Sequence, residues 1–447
     1  MKGNNTMKIT FMGAGSTVFL KNVLGDCLLC DTLNGAEFAL YDIDAERLDD
    51  SRTIIEFLNQ SLAAGKANIT TYLGVEQRKD ALRDADFVIN AIQVGGYEPC
   101  TVIDFEIPKK YGLRQTIGDT LGIGGIFRAL RTIPVLAEFA RDMEEVCPNA
   151  WFLNYANPMA MLTGYMQRYT NVKTIGLCHS VQACPLVLLD ELDMREYMDK
   201  TIEKIVGINH MAWLLEITDM QGNDLYPEIR RRALEKNATE KHKDMVRFDY
   251  IDKLGYYCTE SSEHNAEYNP FYLKQGRDDL IEKFNIPLDE YPRRCVFQIS
   301  EWAERRESLR RGEGLEHARS REYASRIMEA MVTNIPYKIG GNVINNGMIA
   351  NLPKDACVEV PCLVDGTGIT PTYAGELPLQ LAAMNASNIY PQLLTIEAAR
   401  TGKKELIYQA AMMDPVTGAQ LSTDEIVAMC DELIEAHTAA GYALSVK

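Results

Sequence analysis

One cysteine and two histidines stand out by where they fall. Cys178-His179-Ser180 follows directly on the β-rich run Lys173–Leu177, and His210 sits in Gly207-Ile208-Asn209-His210-Met211-Ala212-Trp213. The chain holds only six histidines. A thiolate with an imidazole can hold a divalent transition metal and leave positions open for substrate and water. The same residues also read as a small buried side chain and a satisfied core histidine, because a spacing of 32 residues matches no generic metal motif. A second constellation is Gly13-Ala14-Gly15-Ser16, between the run Lys8–Met12 and a helical pattern. Small residues there let backbone N–H groups approach a pyrophosphate at a helix N-terminus, where the dipole favours negative charge. The third glycine of the usual G-x-G-x-x-G is missing, and Val18 stands in its place. The next β-rich run ends in Tyr41-Asp42-Ile43-Asp44, with Asp42 27 residues after Gly15. A carboxylate there accepts ribose hydroxyls and repels a 2′-phosphate, so Gly13, Gly15, Ser16 and Asp42 predict a site for NAD rather than NADP. Either Asp42 or Asp44 also caps the helix that follows. Cys27-Leu28-Leu29-Cys30, the one C-x-x-C, falls within the first helix and reads as packing.

These residues need elements to position them. Strands are expected at Lys8–Met12, Glu37–Tyr41, Ile69–Tyr72, Phe87–Ala91, Trp151–Leu153 and Lys173–Leu177. Amphipathic stretches such as Val18–Cys30, Ala45–Ala63 and Ile126–Val146 separate them. Alternation of this kind gives right-handed crossovers and a parallel sheet covered on both faces. Ligands of such sheets bind outside the carboxyl ends of the strands, which aims Asn154, Cys178 and His179 at the nicotinamide end of the cofactor. Beyond about residue 195 the pattern changes. Helical segments (Arg321–Val332, Thr423–Ala436) mix with β-rich runs (Ala356–Val364). The fold class expected is therefore α/β, a Rossmann-like parallel sheet over residues 1–195 with an α+β domain over 196–447.

Composition excludes several classes. At 447 residues the chain is long enough for two or three domains of roughly 150 residues each. With 46% hydrophobic and 24% charged residues it is no disordered chain. A formal charge of −17 argues against nucleic acid or an anionic membrane as partner. No apolar run is long enough to span a bilayer, and Met1–Thr10 lacks the apolar stretch of a secretory signal. Eleven cysteines without paired spacing suit a reducing compartment, so a cytoplasmic location is expected.

At the residues named above the sequence becomes recognisable. It resembles the NAD- and Mn²⁺-dependent glycosidases of glycoside hydrolase family four, most closely their bacterial α-galactosidase (melibiase) branch, over essentially the whole chain. Besides the glycine turn, the resemblance rests on Val94-Gly95-Gly96-Tyr97-Glu98-Pro99-Cys100-Thr101-Val102, Arg128-Ala129-Leu130-Arg131-Thr132-Ile133-Pro134 and Leu153-Asn154-Tyr155-Ala156-Asn157-Pro158-Met159. Cys178-His179-Ser180-Val181-Gln182, Thr259-Glu260-Ser261-Ser262-Glu263-His264, Asn351-Leu352-Pro353 and Val358-Glu359-Val360-Pro361 complete it. Members acting on phospho-sugars carry Asn or Asp after the cysteine. The Cys-His-Ser-Val-Gln form is similar to the branch acting on unphosphorylated α-galactosides, with α-glucosidases and uronic-acid relatives as the nearest alternatives. A plain hydroxy-acid dehydrogenase, which shares the Rossmann half, would need no metal-bound thiolate.

The resemblance implies a lactate/malate dehydrogenase-like fold, NAD and Mn²⁺ as cofactors, and a homodimer or homotetramer. The family departs from the usual pair of carboxylates. Its chemistry oxidises the sugar at C3, removes the C2 proton that this makes acidic, expels the C1 oxygen, adds water and returns the hydride. By resemblance Cys178 and His210 are metal ligands, Asn154 and Asp119 bind the sugar, and His179 is the general acid. Relatives use a Tyr or an Asp shortly after a glycine equivalent to Gly255 as the C2 base, and the count from that glycine lands on or near Ser261. Serine is a poor base without activation, so Glu260, Glu263, His264 and Tyr268 stand as replacements, and a metal-bound hydroxide is a further alternative.

Overall fold

The computed structural model describes residues 6–442 and residue 444. Residues 1–5, on which the reading of the N-terminus partly rests, lie outside the described residues. The first six strands are β1 (Lys8–Met12), β2 (Glu37–Asp42), β3 (Asn68–Leu73), β4 (Phe87–Asn90), β5 (Trp151–Asn154) and β6 (Lys173–Gly176). They are parallel and run in the order β3-β2-β1-β4-β5-β6, the doubly wound order of a dinucleotide fold. β1 and β4 are buried along their whole length, as strands covered on both faces must be. Helix α1 (Thr17–Leu28) follows the glycine turn, and α2 (Ala45–Ala63) follows β2. Asp44 is the cap of α2, accepting from the Glu46 and Arg47 amides, which leaves Asp42 for the turn.

The second lobe does not stand apart. Its strands are β7 (Thr201–Ile208), β8 (Met211–Asp219), β9 (Tyr257–Cys258), β10 (Tyr337–Ile344), β11 (Cys357–Asp365) and β12 (Gly368–Pro371). They pair antiparallel and extend the first sheet in the order β6-β10-β11-β7-β8-β9, with β12 on β11. The expected parallel sheet and α+β part are both present, but one sheet of twelve strands runs through them. The seam is narrow. β10 meets β6 through the pair Asn342–Gly176, and β11 meets β7 through Glu359–Gly207. Asn342 Nδ2 donates to Glu359 Oε1 at 2.9 Å and to the Gly176 carbonyl at 3.3 Å. Only glycine fits at 176, since a Cβ there would lie 2.5 Å from Thr163 Oγ1 and 2.8 Å from Asn342 Cβ. Burial pushes the Glu359 carboxyl up to about 7.

Helices Leu379–Thr401, Lys404–Met413 and Thr423–Ala439 return to the first lobe and cover helix Gly122–Val146. Ile123, Phe127 and Leu130 pack there with Ile407, Ala410 and Met429. Each large apolar side chain buried this way contributes about 1.5–3 kcal/mol, so the C-terminal helices anchor the helix that leads out of the Asp119 loop. The helix expected at Arg321–Val332 begins instead at Ala324, because Glu322 and Tyr323 are drawn to His179 and the Cys178 carbonyl.

Candidate active site and metal centre

The glycine turn is built by backbone geometry. Gly13 and Ala14 amides donate to the Tyr41 carbonyl at 3.0 and 2.9 Å, and the Gly15 amide donates to Asp42 Oδ2 at 2.6 Å. Gly13 has φ +85°, and a Cβ on it would sit 2.8 Å from the Ala91 carbonyl group. Ser16 makes no side-chain cap on α1, so the first amides of that helix have no partner from their own cap. Val18, at the missing third glycine, is 61% exposed and does not enter the helix–strand contact that this glycine serves elsewhere. Ile43 lies open beside Asp42 and adds an apolar wall. Uncapped amides, a turn closed to Cβ atoms and a carboxylate at the end of β2 fit a dinucleotide.

The metal candidates come together from distant parts of the chain. Ligand atoms of Cys178, His210 and Glu260 lie within 4.8 Å of one another. Cys178 stands just past β6, and His210 is at the tip of the β7–β8 hairpin. Glu260 is brought in by β9. That strand pairs with β8 through Trp213–Cys258, and Thr259 extends the pairing with two bonds to Ala212 at 2.8 and 3.0 Å. The next residue therefore falls beside His210. Its Oε2 lies 3.5 Å from His210 Nε2. His210 (φ +62°) and Glu260 (φ +64°) both occupy left-handed backbone, which costs about 1–3 kcal/mol each in residues with a Cβ. The Tyr268 hydroxyl sits 3.2 Å from His210 Nδ1, fixing the ring so that Nε2 faces the sulfur and carboxylate.

The charges of the donor set act on one another. Burial alone would lower His210, yet Glu260 and the Cys178 sulfur raise it to about 10. Burial would raise Glu260, but His210 and His264 hold it below the usual carboxylate range. Sulfur, imidazole and carboxylate that jointly favour positive charge fit a first-row divalent cation.

Around this centre lie the remaining candidates. Asp119 is buried. Its Oδ1 accepts from Thr120 Oγ1 at 2.8 Å, and Asn157 Nδ2 donates to Oδ2 at 3.4 Å. Against the effect of burial, Arg128, His264 and His210 keep it ionised. The Arg128–Arg131 motif divides its labour: Arg128 faces Asp119, whereas Arg131 is locked on Asp104 at 2.7 Å and on the Val94 carbonyl. His264 packs edge-on to His210 with ring centroids 4.9 Å apart, and its Nε2 lies 3.9 Å from Asp119 Oδ1. Burial keeps His264 below its usual value. His179, half exposed, pairs through Nε2 with Glu322 and lies among Phe19, Tyr155 and Tyr323.

Three sequence expectations need correction. Asn154 does not project toward a ligand. It is fully buried, with Nδ2 on the Ala156 carbonyl and Thr163 Oγ1, and Oδ1 accepting from Asn90 and the Ala156 amide. Asn157, three residues on in the same motif, carries the amide that reaches Asp119. Glu263 is drawn off to Arg294 at 3.1 Å. Ser261 caps the short helix Ser262–Ala266, and its Oγ lies 2.8 Å from His264 Nδ1, so it orients that histidine. Glu322, Asn157 and Glu267 went unread; no spacing rule marks them, since each meets its partner across the fold. Cys27 and Cys30 are buried, and all eleven cysteines are free.

A Rossmann-type sheet with a cysteine sulfur, an imidazole and a carboxylate gathered past its strand ends is the frame of a nucleotide- and metal-competent class of α/β enzymes. Residues 8–194 match the family 4 glycosyl hydrolase model and residues 205–417 match the family 4 glycosyl hydrolase C-terminal domain. The chain belongs to the family 4 glycosyl hydrolases. It is 62% identical over 430 residues to an alpha-galactosidase of Bacillus subtilis (strain 168), covering 96% of this chain and 98% of that protein. An alpha-galactosidase of Rhizobium meliloti (strain 1021) is 35% identical over 96% of this chain and 88% of its own length. Among solved structures, a 6-phospho-alpha-glucosidase from gut microorganisms, in complex with NAD and Mn²⁺, has the same fold. It superposes with a TM-score of 0.81 at 21% identity over 99% of this chain and 100% of that one. No helix among the described residues is long and apolar enough to cross a membrane.

Proposed function

We propose that this glycosidase hydrolyses α-galactosides with NAD⁺ and a divalent cation, Mn²⁺, as cofactors. The observation that carries the reading is the donor group of Cys178, His210 and Glu260, within 4.8 Å, in a fold that opens with a nucleotide-type glycine turn. The α-galactosidase name of a relative 62% identical over nearly its full length supports the sugar. When bound, NAD⁺ accepts hydride from sugar C3 and the cation draws charge from the resulting ketone, which makes the C2 proton removable.

The chain's own groups do the rest. Cys178, His210 and Glu260 would hold the cation, and Gly13, Gly15, Ser16 and Asp42 the nucleotide. Asp119, kept ionised by Arg128, accepts hydrogen bonds from the sugar hydroxyls, and Asn157 braces it. His264 is the C2 base. Ser261 Oγ lies 2.8 Å from its Nδ1, and the tautomer that acts as base carries its proton on that nitrogen, which leaves the Nε2 lone pair on the Asp119 side. His179 donates the proton to the departing oxygen, and Glu322 holds its ring in place. Phe19, Tyr155 and Tyr323 pack around one side of that ring, which stays half exposed on the other.

A panel of aryl α-glycosides assayed with and without Mn²⁺ and NAD⁺ tests this. The α-galactoside should be cleaved faster than the α-glucoside and the α-glucuronide, with both cofactors required. In D₂O the released sugar should carry deuterium at C2. Full activity with chelator present and no nucleotide overturns the proposal.

A further inference from the structure

The carboxylate of Glu267 receives three consecutive backbone amides from the other lobe. Thr116 N donates to Oε2 at 2.8 Å, Gly118 N to Oε1 at 2.7 Å, and Ile117 N is shared between both oxygens at 3.3 Å. Successive amides turned to one side form a concavity for an anion. Here Gly118, at φ +57°, supplies the turn that brings the third amide round, and the group held there is a side-chain carboxyl of the protein itself, which burial raises to about 7 against the pull of those amides. Asp119 follows immediately. Glu267 is 5% exposed, and burying a carboxylate is costly unless it is fully hydrogen-bonded. The adjacent Tyr268 reaches His210 Nδ1. Two neighbouring residues thus hold the loop of Asp119 and the imidazole of the metal centre from one point.

We propose that Glu267 is a positioning residue, a clamp from the second lobe that fixes the 116–118 loop and through it sets Asp119 against the sugar. The part concerning the sugar rests on the function proposed above. Both oxygens of Glu267 are taken by amides, so it acts through the loop and touches no substrate. Glutamine cannot replace it, because an amide would turn an NH₂ toward one of the N–H donors.

The test uses full-length Glu267→Gln, Glu267→Asp and Asp119→Asn, with the Glu267→Gln/Asp119→Asn double variant. In the wild type the amides of Thr116, Ile117 and Gly118 should be among the slowly exchanging set; fast exchange overturns the clamp whether or not any variant folds. In Glu267→Gln those amides should exchange at least tenfold faster. On an aryl α-galactoside kcat/KM should fall by about 10- to 100-fold, as a small displacement of a positioning group does. Mn²⁺ and NAD⁺ affinities should stay within twofold, and Glu267→Asp should recover part of the loss. In the Asp119→Asn background Glu267→Gln should cost less than threefold more. Unchanged exchange, or a loss that adds in full to that of Asp119→Asn, overturns the proposal. A loosened loop in a protein that ignores α-galactosides would sink the function reading and leave the clamp standing.

Discussion

Glu260 and Glu263 are three residues apart, and both were candidates from sequence, yet only one faces His210. Glu260→Gln keeps the shape and removes the charge. The rise of His210 from 6.5 to about 10 is worth about 5 kcal/mol of net preference for positive charge at that ring. Glu260 is the first of the groups that raise it, followed by the Cys178 sulfur, and losing one close charge partner costs roughly 2–3 kcal/mol. That amounts to about 30- to 160-fold for a single positive charge, and a dication feels at least as much. Titration calorimetry with Mn²⁺ near neutral pH should therefore show a Kd about 30-fold or more weaker in Glu260→Gln. Glu263→Gln is the control. Its partner Arg294 is 42% exposed, and an ion pair of that kind is worth at most about 1 kcal/mol. Its Mn²⁺ affinity should stay within about threefold. Binding by Glu260→Gln as tight as the wild type, or equal losses in both variants, would refute the assignment of the third donor.

Other expectations follow from single observations. Cys178→Ser should abolish metal-dependent turnover and leave NAD⁺ binding, read by fluorescence titration, nearly intact; loss of NAD⁺ binding would make the cysteine a structural residue. Gly13→Ala forces a Cβ to 2.8 Å from the Ala91 backbone at φ +85°, and should weaken NAD⁺ at least tenfold. An unchanged Kd would show that the turn can yield. Glu359→Gln should shift the pH dependence of stability. The folded carboxyl holds its proton up to about 7 against an ordinary value of 4.5. Between those values the unfolded chain releases a proton that the folded chain keeps, so the wild type loses about 3 kcal/mol as pH rises from 4.5 to 7 and nothing further above it. The glutamine variant has no such loss. Its denaturant-derived stability relative to wild type should improve by about that amount from pH 4.5 to pH 8, and a difference independent of pH would exclude a buried neutral Glu359.

Much of the first lobe was legible. β1 and α2 fall on the residues their patterns gave, and the remaining strands of that lobe end within a residue or so. Periodicity of 2 and 3.6 is a local property, and a strand buried on both faces is marked by its own residues. The site was legible in unequal parts. Cys178 and His210 were picked out by their contexts, and Asp119 and His264 do meet at the centre. Asn154 and Asn157 share one motif, and nothing local told which amide would be consumed by the packing of β5. Glu263 was a candidate like Glu260 because sequence distance says nothing of direction on a loop.

The chain by itself determined the dinucleotide-type half, since strand, glycine turn, helix and Asp42 lie within 42 residues and interact as neighbours. It also determined which elements carry a sulfur and an imidazole. Only the tertiary structure decided the third donor. Glu260 faces His210 because β9 pairs with β8 and because both residues take left-handed backbone, and strand pairing and forced φ values are imposed by the assembled sheet. The same holds for the joining of the two lobes: Gly176 of β6 meets Asn342 of β10, and Asn342 in turn holds Glu359 of β11, only after separate parts of the chain have folded against one another.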